Sequence, residues 1–251
     1  MSLVPAQLSP PPPLVAATHS LLLDFDGTLV EIADRPEAVV VDAALVALLG
    51  RLTEAFDGRL AIVSGRSVAQ IEGFLGSAAR VVIGSHGAEL KLGERRIAPD
   101  RPPALIAAER ELTVALGPRQ GIVIEIKSHG VAVHYRMASR DEADVIERTA
   151  RRIAQRYAGS EGLVLQEGKM MIELRTGGHD KGSGIATLLT HAPFAGHLPV
   201  FIGDDVTDEA GFAAVTPAGG IGVLVGPDRA TAARYRLDDV AAVRRWLGDA
   251  A

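Results

Sequence analysis

SLLLDFDGTLV, Ser20–Val30, is a short apolar run that breaks abruptly into two carboxylates and a glycine. Leu21, Leu22 and Leu23 form the kind of run a fully buried parallel strand needs. A carboxylate directly after such a strand stands in the crevice beyond its carboxyl end, where open α/β sheets bind ligands. Asp24 and Asp26 are two positions apart, so an extended backbone points them the same way and turns Phe25 to the opposite face. Gly27 allows a sharp turn and a close approach to a ligand. Two neighbouring carboxylates repel unless a cation lies between them or one is protonated, so Asp-x-Asp-Gly-Thr points to a hard divalent metal, Mg²⁺. The same residues can also form a plain turn, and the decision lies downstream.

Three more segments repeat the pattern. Arg59–Val63 reads as a buried strand ending in Ser64-Gly65-Arg66, and Ser67 to Gln70 is a capping box that opens a helix. Strand, hydroxyl, glycine and helix start are a recurring way to hold an anion, and also a common turn. Lys181 in HDKG opens a helix through Leu188 and Leu189; an ammonium there is opposed by the helix dipole unless an anion compensates, or it is simply solvated. LPVFIG, Leu198–Gly203, is a further buried strand, ending in Asp204, Asp205, Asp208 and Glu209, a concentration of charge that calls for a cation unless it lies on the surface. Between them Arg80–Leu90 is an apolar strand running into Ser85-His86-Gly87, where His86 reads as a structural or loop contact rather than the base. Asp42 is expected to cap a helix carrying Leu45, Leu48, Leu49, Leu52 and Phe56 inward. A last strand, Ile221–Val225, and a helix begun at Asp238 are expected to close the core.

From Asp100 to Arg175 the texture changes. This stretch carries a net charge of +1 and the remainder −6, so the acidic excess lies with the Asp motifs. An inserted domain over 100–176 is expected, with Pro102-Pro103 and Gly177-Gly178 as hinges. Arg140–Gly159 reads as a helix with Ser139 and Glu142 as its capping box, and Ile122–Lys127, Val131–Arg136 and Lys169–Arg175 read as strands. Alternation puts Ile122, Ile124, Ile126, Val131, Val133, Tyr135, Met170, Ile172 and Leu174 on one sheet face. Glu125, Lys127, His134, Arg136, Lys169, Glu173 and Arg175 fall on the other. That polar face is either solvated or a lid, and with few aromatics nearby a lid would suit a polyhydroxylated ligand.

The 251 residues suffice for a large core with an inserted domain. A net charge of −5 argues against nucleic acid, no apolar run approaches a membrane span, and the lack of cysteine removes disulfides and thiolate metal sites. MSLVPAQLSPPPPLVAA lacks a basic region followed by a long apolar one, so a signal peptide is not read and the cytoplasm is the expected location. Residues 1–17 are expected to be a proline-rich leader, extended and without core contact.

In order, DFDGT, the hydroxyl of VSGR, the lysine of HDKG and GDDVTDE resemble the motifs of the haloacid dehalogenase-like phosphatases. With SHGAE, the IEIK and VHYR pair and EGKMMIELR, the pattern over residues 21–209 resembles the trehalose-6-phosphate phosphatase branch. The resemblance implies an α/β Rossmann-like parallel-sheet core, residues 18–99 and 177–251, with an inserted α/β cap, 100–176. It implies an Mg²⁺-dependent hydrolase of trehalose biosynthesis acting on a phosphosugar; a sibling phosphosugar phosphatase or a phosphosugar mutase would keep the same core. Asp24 would be the nucleophile and Asp26 the general acid and base. Asp24, the main chain of Asp26 and Asp204 would hold Mg²⁺, supported by Asp205 and Asp208. Ser64, Gly65, Arg66 and Lys181 would hold the phosphate. Glu125, Lys127, Arg136, Lys169 and Glu173 would read the sugar hydroxyls, with cap closure excluding water. No nucleic-acid or membrane partner is implied, and a monomer is favoured.

Overall fold

The computed structural model describes residues 8–33, 35, 38–168 and 170–251. It divides into two compact units, one comprising the chain up to Ala98 together with His179–Ala251, the other Pro99–Gly178.

The first unit begins with β1, His19–Leu23, whose Leu21, Leu22 and Leu23 are wholly buried. Burying each leucine is worth about 2 kcal/mol, which is why this run becomes the central strand. Helix α1, Ala43–Ala55, starts where Asp42 accepts from the Leu45 amide at 2.7 Å. Strand β2, Leu60–Val63, leads into α2, Val68–Leu75, opened by the Ser67/Gln70 capping box. Strand β3, Val81–Gly84, is followed by an antiparallel pair, β4, Glu89–Leu92, and β5, Arg95–Ile97. The expected strand running into Ser85-His86-Gly87 is β3; the return strand β4 is not evident in the sequence because the turn uses Ser85 and His86 at left-handed φ rather than a familiar Asn-Gly pair.

In the second unit, α3, Pro103–Leu116, begins at the second of the two prolines read as a hinge: Pro103 is the first helical residue, where a missing amide costs nothing. Strands β6, Val123–Lys127, and β7, Gly130–His134, pair as an antiparallel hairpin; then come α4, Arg140–Tyr157, β8, Leu163–Gly168, and β9, Met171–Thr176. The sheet order is β6-β7-β9-β8, all antiparallel. Val131, Val133, Ile172 and Leu174 pack with Leu105, Leu112, Ile146 and Ile153 of the two helices in one core. Ile126 departs from the expected apolar face: at the end of an edge strand it is exposed and outside that core.

The chain re-enters the first unit at α5, Lys181–Leu188, and continues through β10, Leu198–Gly203, α6, Glu209–Val215, β11, Ile221–Val225, β12, Tyr235–Leu237, and α7, Val240–Gly248. The cap of α7 is Asp239, whose carboxylate accepts from the Ala242 amide, one residue beyond the expected Asp238. The eight-stranded sheet has the order β12-β11-β10-β1-β2-β3-β4-β5, parallel from β12 to β3. Alternation in β1 sends Leu21 and Leu23 into a core with α1, α2 and α7, and Leu22 into a core with α5 and α6. Strand order reverses beside β1, so the carboxyl ends of β10, β1 and β2 form the crevice where such sheets bind ligands.

The proline-rich leader is docked, contrary to expectation. Pro11 is buried, Leu14 and Ala16 pack on the α1/α7 core, the Trp246 indole donates to the Pro12 carbonyl at 3.2 Å, and the Arg236 amide donates to the Ser9 carbonyl at 3.0 Å. A polyproline segment has unpaired carbonyls and no internal hydrogen bonds, so it offers itself to such donors. Residues 1–7 of the expected leader lie outside the described residues.

Candidate active site

Register fixes the crevice at the strand ends. Leu23 pairs with Ile202 of β10 and Ile62 of β2, so Asp24, Asp204 and Ser64 leave adjacent strands within one residue of the same level. The Asp24 amide donates to the Ile202 carbonyl at 2.9 Å and the Ser64 amide to the Ile83 carbonyl at 2.8 Å, prolonging the ladder one residue past the strands. Phe25 is buried with Leu21 and Leu23, as alternation requires. Gly27 has φ +79°, and a Cβ there would lie 2.2 Å from the Asp204 carboxylate, so only glycine lets the two loops touch.

Asp24, Asp204 and Asp208 each offer a carboxylate oxygen within 4.8 Å of the others. Lys181, 4% exposed, donates from Nζ to Asp24 Oδ1 and Asp208 Oδ1, each at 2.7 Å. Its ammonium is therefore neutralised by two anions and not solvated, which answers the dipole penalty at the start of α5. Burial pushes the Asp24 carboxyl up to about 6 against the pull of Lys181. Burial, with Asp208 adding, lifts Asp204 to about 6, and burial, with Asp24 adding, lifts Asp208 to about 7. Burial works against the Lys181 ammonium, yet the flanking Asp24 and Asp208 carboxylates hold it above the ordinary lysine range.

The donor set suits a hard divalent cation. It is made of hard carboxylate oxygens, and Asp204 Oδ1 is buried without a hydrogen-bond partner, an orphaned lone pair of the kind a cation satisfies. The two supporting aspartates separate. Asp208 is wholly buried on Lys181 and accepts from the Asp205 amide at 2.9 Å, whereas the Asp205 side chain is exposed.

Beyond β2, Ser64 is buried and its Oγ accepts from the Arg66 amide at 3.1 Å. The Arg66 guanidinium grips both Asp26 oxygens at 2.7 Å and lies over the rings of Phe25 and Phe74, 5.8 and 5.0 Å from their centroids. Two residues escaped sequence reading. Glu89, buried, accepts from Ser85 Oγ at 2.5 Å and the Val68 amide at 3.1 Å, tying the SHG turn to the start of α2. Arg229 donates to the carbonyls of Asp205 at 2.9 Å and Asp204 at 3.4 Å and pairs with Glu209, fixing the acidic loop. Arg229 sits in no motif-like run, whereas Glu89 closes the SHGAE motif, whose glutamate carried no assigned role.

The second unit joins some of its polar residues. Lys127 Nζ lies 3.0 Å from Glu173 and 3.8 Å from Glu125, and His134 Nε2 lies 3.0 Å from Glu125. Register explains the row: Glu125 and Glu173 both pair with Ala132, so their carboxylates flank a strand with only a methyl between them. Arg136 is exposed and outside this row, Arg175 turns to Gln166, and Lys169 lies outside the described residues. Among the described residues no helix is long and apolar enough to cross a membrane.

Residues 22–241 match the sequence model of the trehalose-phosphatase family. The chain is 38% identical over 239 residues to the trehalose-6-phosphate phosphatase of Escherichia coli strain K12, covering 94% of this chain and 87% of that one. It is 36% identical over 254 residues to a trehalose-phosphate phosphatase of Mycobacterium marinum, covering 96% of this chain but 63% of that longer protein. The crystal structure of a trehalose-6-phosphate phosphatase related protein superposes with a TM-score of 0.74 at 31% identity, over 90% of this chain and 94% of that one.

Proposed function

The chain belongs to the trehalose-phosphatase family, and from that premise we propose that it hydrolyses trehalose 6-phosphate to trehalose and phosphate through an aspartyl-phosphate on Asp24. The observation that carries this reading is the buried triad of Asp24, Asp208 and Lys181 beside the orphaned Asp204 oxygen. An Asp24 oxygen attacks phosphorus, and the bond from phosphorus to the sugar oxygen breaks. Asp26 gives that oxygen a proton and then takes one from the water that attacks phosphorus, releasing phosphate and restoring Asp24. The Arg66 guanidinium holds Asp26 in place through both its oxygens.

Ser64, the Gly65 and Arg66 amides and Lys181 hold the non-bridging oxygens, where charge must be stabilised in transfer. Lys181 keeps its proton throughout, since Asp24 and Asp208 favour the ammonium. Asp24, the main chain of Asp26 and Asp204 would hold Mg²⁺, with Asp208 orienting Lys181 and the acidic loop; the ion supplies charge screening between nucleophile and phosphate. Glu125, Lys127 and Glu173, already placed as one polar row, with Arg136 and Lys169, recognise the sugar hydroxyls. A location in the cytoplasm accords with this reading.

Phosphate release from trehalose 6-phosphate, sucrose 6-phosphate, glucose 6-phosphate and mannosyl-phosphoglycerate tests it. Strong preference for trehalose 6-phosphate, abolished by EDTA and by Asp24→Asn, is the expected result. Preference for another sugar would keep the core and overturn the substrate; no release from any would overturn the reading.

A further inference from the structure

We propose that His86 is a ligand-contacting residue of the phosphate site, its ring donating a hydrogen bond to a phosphoryl oxygen held by the Ser64–Arg66 loop. The starting point is backbone strain. Ser85 at φ +48°, His86 at φ +54° and Gly87 at φ +98° are three consecutive left-handed residues. Two of them carry side chains, for which that conformation is unfavourable and persists only where the surroundings impose it.

The surroundings do impose it. The Ser85 amide donates to the Arg66 carbonyl at 2.8 Å and the His86 amide to the Ser64 carbonyl at 3.1 Å. Glu89 clamps the Ser85 hydroxyl from the other side. Gly87 sits so close to Asp180, the residue before Lys181, that a Cβ would lie 2.0 Å from its carbonyl oxygen. The turn is thus wedged between the two elements that supply phosphate-binding groups, at the carboxyl end of β3. Its imidazole is laid over Gly65, where a Cβ would come within 2.5 Å of the ring. The ring is half-buried and so retains access to solvent. A helix start could be capped by far simpler means; holding an imidazole against the middle residue of an anion loop is what this strain accomplishes.

The assignment rests on the phosphatase reading for the carrier of the anion, but its test uses inorganic phosphate and so stands apart from the sugar. Phosphate affinity is measured by calorimetry in Mg²⁺ for the wild type, His86→Gly and His86→Asn, with thermal unfolding of each. Glycine relieves the left-handed backbone and removes the donor, so His86→Gly is expected to keep its Tm while phosphate binding weakens about tenfold or more, the effect of losing a hydrogen bond to a charged group. Asparagine tolerates the left-handed region and keeps an N–H donor, so His86→Asn is expected to bind within about threefold of the wild type. Wild-type affinity in His86→Gly would overturn the proposal. So would a fall of Tm that accompanies the loss of binding in both variants, which would make the ring a packing element, or wild-type protein that binds no phosphate. Failure of the substrate panel with phosphate binding intact would instead refute the function and leave His86 standing.

Discussion

At the residue scale the site is governed by charge taken out of water. Asp24, Asp204 and Asp208 have carboxyls raised to about 6, 6 and 7 by burial, so the folded protein binds more protons than the unfolded chain at mildly acidic pH. A raised carboxyl favours folding where it is protonated; stability therefore falls as pH rises from about 4, the unfolded value, through about 7. Without metal, Tm is expected to decline over that window, and the increment of Tm given by Mg²⁺ over EDTA is expected to grow with pH as the ligands deprotonate. Scanning calorimetry in the two buffers from pH 4.5 to about 8 checks both, and an Mg²⁺ increment independent of pH would contradict the cluster as ligand. Gly27 makes a sharper test. With φ +79° and an added Cβ falling 2.2 Å from the Asp204 carboxylate, Gly27→Ala is expected to abolish turnover and to cost about 1–3 kcal/mol of stability, read from urea unfolding.

At the element scale, loops that carry charge are held by side chains far away in sequence. Arg229 fastens the loop after β10 through two carbonyls and Glu209. Loosening it should act like removal of an outer partner of a metal site, so Arg229→Ala is expected to weaken Mg²⁺ about tenfold, measured by the Mg²⁺ dependence of Tm. The leader behaves as a strap on α7. Trp246 is the only tryptophan in the chain, and it donates to Pro12. Removal of residues 1–13 is therefore expected to shift its fluorescence to the red and lower stability by about 1–2 kcal/mol, the value of one hydrogen bond and a little apolar burial. An unchanged emission maximum would show that the strap is not seated in solution. The elements themselves were legible. The α1 cap at Asp42, the α2 box at Ser67 and Gln70 and the α4 box at Ser139 and Glu142 all stand where pattern places them, because caps satisfy backbone groups a few residues away. Strands β4, β5, β8 and β12 and helices α3 and α6 were not, since each is short, exposed or opened by prolines that also read as hinge.

At the scale of the whole molecule, two units with separate apolar cores divide the labour that we propose for the enzyme. If sugar recognition lies in Pro99–Gly178 and chemistry in the rest, replacing that segment by a short linker is expected to preserve hydrolysis of p-nitrophenyl phosphate while erasing discrimination among phosphosugars. Retained preference for one sugar would place recognition in the first unit. The amino-acid sequence by itself determined the buried parallel strands, the order of the DFDGT, VSGR, DKG and GDDVTDE loops, and the polar alternation of β6, β7 and β9, because each is a pattern of solubility and backbone freedom within a few residues. Only the tertiary structure decided the partners. Lys181 meets Asp24 across 157 residues and Asp208 across 27, Arg66 meets Asp26 across 40, and Trp246 meets Pro12 across 234. A charged side chain reads alike whether solvated or paired; sheet order and register bring the strand ends to one crevice, and burial there makes pairing obligatory.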